Sequence, residues 1–297
     1  MNRKMNRTLA ALAGLAAAAL VSGAALAQPA GITLEMIERT LPEEGAPLAE
    51  VGPYDVLSNR TEGSDVNTFF RPEDLEAFPG EDTLPVVLWG NGGCAADPGR
   101  FSGFLHTLAS YGYLVVTTAD DGTGRRATAA DLGAGLDWAF AENERADSPL
   151  AGKVDTGNVA VMGVSCGGVM ALDNAADPRV TTVGVWNSGV SGEAMSVLSD
   201  LHGPTLYIDG GEVDFMYEAA RANFEAIDDV PVFYGSRDNA GHSATYFHPN
   251  GGEFANVAAD WLNWRLKGDE EASRRFVGAD CELCTDSNWE VAKKGID

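Results

Sequence analysis

The string Gly163-Val164-Ser165-Cys166-Gly167-Gly168 sets a serine between glycines at the spacing G-x-S-x-G. An apolar run precedes it and a helical pattern follows. A serine on a sharp strand-to-helix turn has its hydroxyl lifted clear of a sheet, and glycines on either side let backbone approach without a Cβ clash. A helix N-terminus just beyond adds a positive field for a developing oxyanion. The string alone also reads as a Gly-rich turn; the strand–turn–helix setting selects a nucleophile. The chemistry is attack of an activated hydroxyl on an acyl carbonyl.

Such a hydroxyl needs a base, and the base needs an orienting carboxylate. The chain has four histidines. His106 falls within a helical pattern, and His202 precedes an apolar run rather than following one. His242, in Asn239-Ala240-Gly241-His242-Ser243, follows the run at 230–234 and precedes the last helix, where a base can reach back over strand ends. His248 shares that loop and is the rival. Asp209 and Asp214 both follow the run at 206–208. Asp214, further out on the loop, is preferred as the acid, with Asp209 and Glu212 as alternates. The order Ser165, Asp214, His242 is the nucleophile–acid–base order of one known arrangement of such triads.

An acyl-transfer site also needs donors for the oxyanion. The amide of Cys166 is the expected first donor. Gly93, in Trp89-Gly90-Asn91-Gly92-Gly93-Cys94, is the expected second, although the same glycines would serve a plain chain reversal. Cys94 and Cys166 each adjoin a donor, so a Cys94–Cys166 bridge would tie the two halves of the hole together. Trp186, after the next run, is a candidate to flank the substrate or a core residue. Asn91 is a further candidate substrate contact.

Elements that could position these residues are legible as apolar runs at 84–89, 113–118, 159–164, 180–186, 206–208 and 230–234. None alternates strictly, as expected of strands buried on both faces. Helical spacing appears at 101–111, 127–144, 165–176 and 253–267. Right-handed crossovers then give an α/β domain, a mostly parallel sheet with helices on both faces, spanning 28–297. In such sheets ligands bind at the carboxyl ends of the strands, which is where the candidate residues fall. Residues 28–65 are turn-rich and acidic and carry no clear pattern. Gly122-Thr123-Gly124-Arg125-Arg126-Ala127 mimics a dinucleotide loop, but Asp120 and Asp121 would repel a pyrophosphate.

Residues 1–27 read as a secretory signal peptide: Arg3, Lys4 and Arg7, an Ala/Leu-rich run, then Ala25-Leu26-Ala27 as the cleavage pattern. Export to the periplasm or medium would allow the four cysteines to pair. Cys281 and Cys284 are expected to form a small structural disulfide in an irregular tail at about 276–297. Their C-x-x-C spacing lacks the second ligand pair a zinc site needs, and no metal or other cofactor is expected. The net charge of −24 argues against nucleic acid or an anionic membrane as partner.

The segments 84–94, 108–116, 163–168, 210–214 and 241–242 together resemble the α/β-hydrolase superfamily. Within it, the chain is similar to exported polyesterase–lipase–cutinase and dienelactone-hydrolase-like proteins. The resemblance implies an eight-stranded sheet, a Ser165–Asp214–His242 triad and hydrolysis of carboxylic esters, small or polymeric, without a metal. Cys166 stands where those relatives usually have Met or Gln, and Gly93 where they have a bulky residue. The tail with its Cys pair and Trp289 is not typical of them. Two other readings stay open at this stage: an amidase or peptidase on the same triad, and a non-catalytic binding protein on this scaffold.

Overall fold

The computed structural model describes residues 49–297 apart from 77, 79, 81 and 82. The signal peptide expected at 1–27, its cleavage after Ala27 and the start of the domain at 28 lie outside the described residues.

The described residues form one nine-stranded sheet, in the order β1-β2-β4-β3-β5-β6-β7-β8-β9. β1 (Val56–Arg60) and β2 (Asn67–Pro72) run antiparallel at one edge. Six parallel strands follow: β3 (Leu84–Gly90), β4 (Leu114–Thr118), β5 (Val154–Val164), β6 (Thr182–Trp186), β7 (Thr205–Asp209) and β8 (Val232–Arg237). These are the six apolar runs of the sequence. Their side chains point alternately to the two faces, and both faces are buried, so no polar alternation can appear.

Each face carries its own core. Val87 and Trp89 of β3 lie on one side with Met162, Trp186 and Ile208. They meet Phe104, Leu105 and Leu108 of α1 (Ser102–Ser110) and Phe254, Trp261 and Leu262 of α5 (Gly252–Lys267). Val86 and Leu88 lie on the other side with Val161, Val185 and Tyr207. There they meet α2 (Ala129–Glu144), α3 (Cys166–Asn174) and α4 (Tyr217–Ala226) through Leu132, Met170 and Ala220.

The tail departs from expectation. It supplies β9 (Trp289–Lys294), antiparallel to β8, so the described sheet has nine strands rather than the eight the resemblance implies. It is not irregular at its cysteines either: Cys281 caps the short helix α7 (Glu282–Thr285), its sulfur accepting from the Cys284 amide at 3.1 Å, and the two are joined as a disulfide. Between α5 and α7 lies α6 (Glu270–Ser273). Among the described residues no helix is long and apolar enough to cross a membrane.

Candidate active site

Ser165 occupies the single step between β5 and α3. Its backbone sits at φ 55°, ψ −121°, far from the conformations a non-glycine residue prefers. Glycines make this turn fit. A Cβ on Gly167 would stand 2.0 Å from the Gly90 carbonyl oxygen, and one on Gly163 would stand 2.2 Å from that of Gly167. The turn is also tied from outside: the Ser165 amide donates to Trp186 O at 2.9 Å, and Ser188 Oγ donates to Ser165 O at 2.6 Å.

His242 lies in the loop after β8, and Asp214 in the loop after β7. Ser165 Oγ is 2.9 Å from His242 Nε2, and His242 Nδ1 is 2.8 Å from Asp214 Oδ1. A carboxylate can only accept, so Nδ1 carries the proton and Nε2 faces the serine as an acceptor. His242 and Asp214 are both buried. Burial pushes the Asp214 carboxyl up. The hydrogen bond and charge of His242, with the Met216 and Asn187 donors, outweigh it and hold the group below its ordinary value. The half-buried Phe215 lays its ring against the imidazole, with centroids 3.8 Å apart.

The structure does not bring the alternates to the serine. Asp209 is fully buried at the end of β7, where it accepts from Tyr234 Oη at 2.7 Å, Ser236 Oγ at 2.5 Å and the Gly211 amide at 2.9 Å. Its burial raises it from 3.8 to about 6. Glu212 points to solvent. His106 is exposed on α1, and His202 is bound to the carbonyls of Asp200 and Val180. His248 lies further along the loop than His242, its amide donating to Thr245 O at 2.9 Å.

Cys166 begins α3, where helix geometry leaves the first amides without an intrahelical partner. Gly93 lies in the short 3-10 turn Gly92–Cys94, at φ 68°. A disulfide joins Cys94 to Cys166 with Cα atoms 5.2 Å apart, so the loop after β3 and the start of α3 are covalently tied.

Two candidates for substrate contact are corrected. Trp186 is the last residue of β6 and is fully buried, packing on Phe104 and Phe254, so it has no face to offer a substrate. Asn91 is also fully buried. Its amide donates to Ala95 O at 3.1 Å and to the hydroxyls of Thr117 and Thr118 at 3.2 Å, which makes it a tie inside the loop.

The neighbour of Trp186 was overlooked by sequence reasoning. Asn187 Nδ2 donates to Asp214 Oδ2 at 2.8 Å and to Gly241 O at 3.2 Å, while Tyr246 Oη donates to Asn187 Oδ1 at 2.7 Å. These three partners fix the amide's orientation. Its signal was positional: like Ser165, Asp214 and His242, it follows the carboxyl end of a parallel strand.

A family model described as PET hydrolase-like, PETase, matches residues 86–292. No curated protein matches the chain. The matched span runs from β3 into β9 and contains every residue of the hydrogen-bonded chain described above.

Proposed function

We propose a mechanism and a location for this chain, which belongs to the PETase (PET hydrolase-like) family and is a serine carboxylic-ester hydrolase of the α/β-hydrolase type. Ser165 is the nucleophile, His242 the general base and Asp214 the acid that orients it. The observation that carries this reading is the unbroken run of contacts from Ser165 Oγ through His242 to Asp214, at 2.9 and 2.8 Å.

Ser165 Oγ attacks the ester carbonyl carbon as His242 Nε2 takes its proton. Negative charge gathers on the former carbonyl oxygen, where the amides of Cys166 and Gly93 receive it. The intermediate collapses, and His242 returns the proton to the leaving alcohol. Water then attacks the acyl-enzyme by the same path, giving the acid and free Ser165. Asp214 stays ionised throughout, holding the Nδ1 proton and stabilising the imidazolium.

The enzyme acts outside the cytoplasm, after cleavage behind Ala27. The Arg3, Lys4 and Arg7 leader with its Ala/Leu run supports this, as do two disulfides, which persist in oxidising compartments.

The test is Ser165→Ala. We expect hydrolysis of short p-nitrophenyl esters to fall on the order of a thousandfold or more, with thermal unfolding close to that of the parent. Labelling of the parent by a fluorophosphonate should vanish in the variant. Retained turnover in Ser165→Ala overturns the assignment.

A further inference from the structure

The segment that mimics a dinucleotide loop in the sequence has another use in the fold. We propose that Arg126 is a positioning residue of the acyl-transfer site, setting the peptide planes of the Gly92–Cys94 turn and placing a cation beside the start of α3. This rests on the reading of Ser165 as nucleophile and of that turn as a source of an oxyanion donor.

Arg126 grips one carbonyl with two nitrogens: Nε and Nη2 donate to Gly93 O at 3.0 and 2.7 Å. The next residue continues the grip, the Ala127 amide donating to Cys94 O at 2.9 Å. Gly92 O accepts from the Ala95 amide at 3.2 Å. Three successive carbonyls of the turn therefore have donors, two of them supplied by residues 126 and 127. In a trans peptide the N–H points opposite to the C=O. The Ala95 amide on Gly92 O therefore sets the plane that carries the Gly93 amide, and Arg126 on Gly93 O sets the next plane, which carries the Cys94 amide, so Gly93 is held between two fixed planes.

The turn needs such holding. Gly93 and Cys94 are consecutive residues at positive φ, 68° and 49°, and Cys94 carries a Cβ that disfavours this region. The disulfide to Cys166 constrains the cysteine side chain, but not the rotation of the peptide between Gly93 and Cys94. Arg126 does that. Its Nη2 also lies 3.8 Å from Cys166 Sγ, which brings the charge next to the residue that follows the nucleophile.

The arm that carries Arg126 is itself braced. Arg125 pairs with Asp121 at 2.7 Å and meets both oxygens of Asp131 at 2.7 and 2.9 Å. Asp131 in turn closes the capping box of α2 with Thr128. An exposed guanidinium on a mobile loop would contribute little; on a braced loop its two hydrogen bonds have a defined direction.

Arg126→Ala and Arg126→Lys, each made in the full chain, test the proposal. In Arg126→Ala we expect kcat for a p-nitrophenyl ester to fall about tenfold or more, with KM and the melting temperature little changed. Lys, which keeps the charge but offers a single donor nitrogen in place of two, should lose less. Because the Arg126 side chain is exposed, added methylguanidinium should restore part of the kcat of Arg126→Ala, and urea at the same concentration should not. A parental kcat in Arg126→Ala overturns the proposal, as does a joint fall of kcat and melting temperature that methylguanidinium does not reverse. Fluorophosphonate labelling of the parent separates the two levels: an unlabelled parent defeats the reading of Ser165, whereas a labelled parent with an indifferent Arg126 defeats only this one.

Discussion

Asn187 donates to Asp214 Oδ2 at 2.8 Å with the same amide nitrogen that reaches Gly241 O at 3.2 Å. One buried side chain thus joins the loop after β7 to the loop after β8, which carry the proposed acid and base. The amide lies at the end of β6, with φ 43°, a left-handed backbone that asparagine tolerates better than most residues. Tyr246, itself fully buried, closes the arrangement by donating to the other end of the amide.

Asn187→Ala removes both donors and strands the Tyr246 hydroxyl. Leaving such buried groups unpaired costs about 1–3 kcal/mol. Part of that loss should fall on the transition state, because Asp214 Oδ2 would keep only the longer bond from the Gly210 amide, at 3.3 Å. We expect kcat to drop on the order of tenfold, with a lower melting temperature and a smaller change in KM. Steady-state kinetics and thermal unfolding on the same preparation check this. An unchanged kcat would show that His242 and the amides of Met216 and Gly210 suffice to hold Asp214.

The two disulfides should differ sharply in effect. Cys94–Cys166 closes a separation of 72 residues, while Cys281–Cys284 closes one of 3. In the chain-entropy account a loop of the first size contributes about 4 kcal/mol and a very short one much less. Replacing Cys94 and Cys166 together by Ser should therefore lower the unfolding free energy by roughly that amount and also lower kcat, since the turn at Gly93 and the amide of Cys166 lose their tie. Replacing Cys281 and Cys284 should leave kcat near the parent value. Denaturant titration with parallel assays of both variants decides it; equal losses from the two pairs would count against the first bridge as an active-site tie.

The six parallel strands and the positions of Ser165, Asp214 and His242 were legible because each signal is local. A strand buried on both faces is a short apolar run, and the sharp turn at Ser165 needs its glycines close by. What was not legible depends on distant partners. β1 is an edge strand and β2 its neighbour, and with Asn59 and Arg60 exposed and Thr68 half-buried their pattern looks like loop. β9 is an edge strand that ends in Lys293 and Lys294, charges that discourage further pairing and also disguise the strand. Trp186 and Asn187 show the limit most clearly. Strand alternation sends the Trp into the core, and the left-handed step after it turns the Asn toward Asp214, an outcome that no periodicity announces. Asn187 takes its role from Asp214 in the loop after β7 and from Gly241 and Tyr246 in the loop after β8, two stretches distant from it in the chain.

Asp209 should impose its own pH dependence on stability. Burial raises its carboxyl from 3.8 to about 6, against the lowering effects of Ser236, Tyr234 and the Gly211 amide, with the nearby Asp214 charge adding to the rise. The folded state therefore holds a proton that the unfolded chain has released between those two values. Stability from this group is fully present below about pH 4, falls as pH rises toward 6, and stays lower by roughly 3 kcal/mol at neutral pH. Asp214 behaves oppositely: its lowered carboxyl loses stability only as pH falls below the ordinary value, outside that window. Asp209→Asn is neutral throughout. It keeps an acceptor oxygen for the strand-end donors, though its amide nitrogen serves them less well. We expect the parent to lose up to about 3 kcal/mol more than Asp209→Asn between about pH 4 and pH 7, measured by denaturant unfolding at each pH. The contributions of other groups cancel in that difference. Identical pH slopes in the two proteins would mean that Asp209 titrates as an ordinary carboxylate despite its burial.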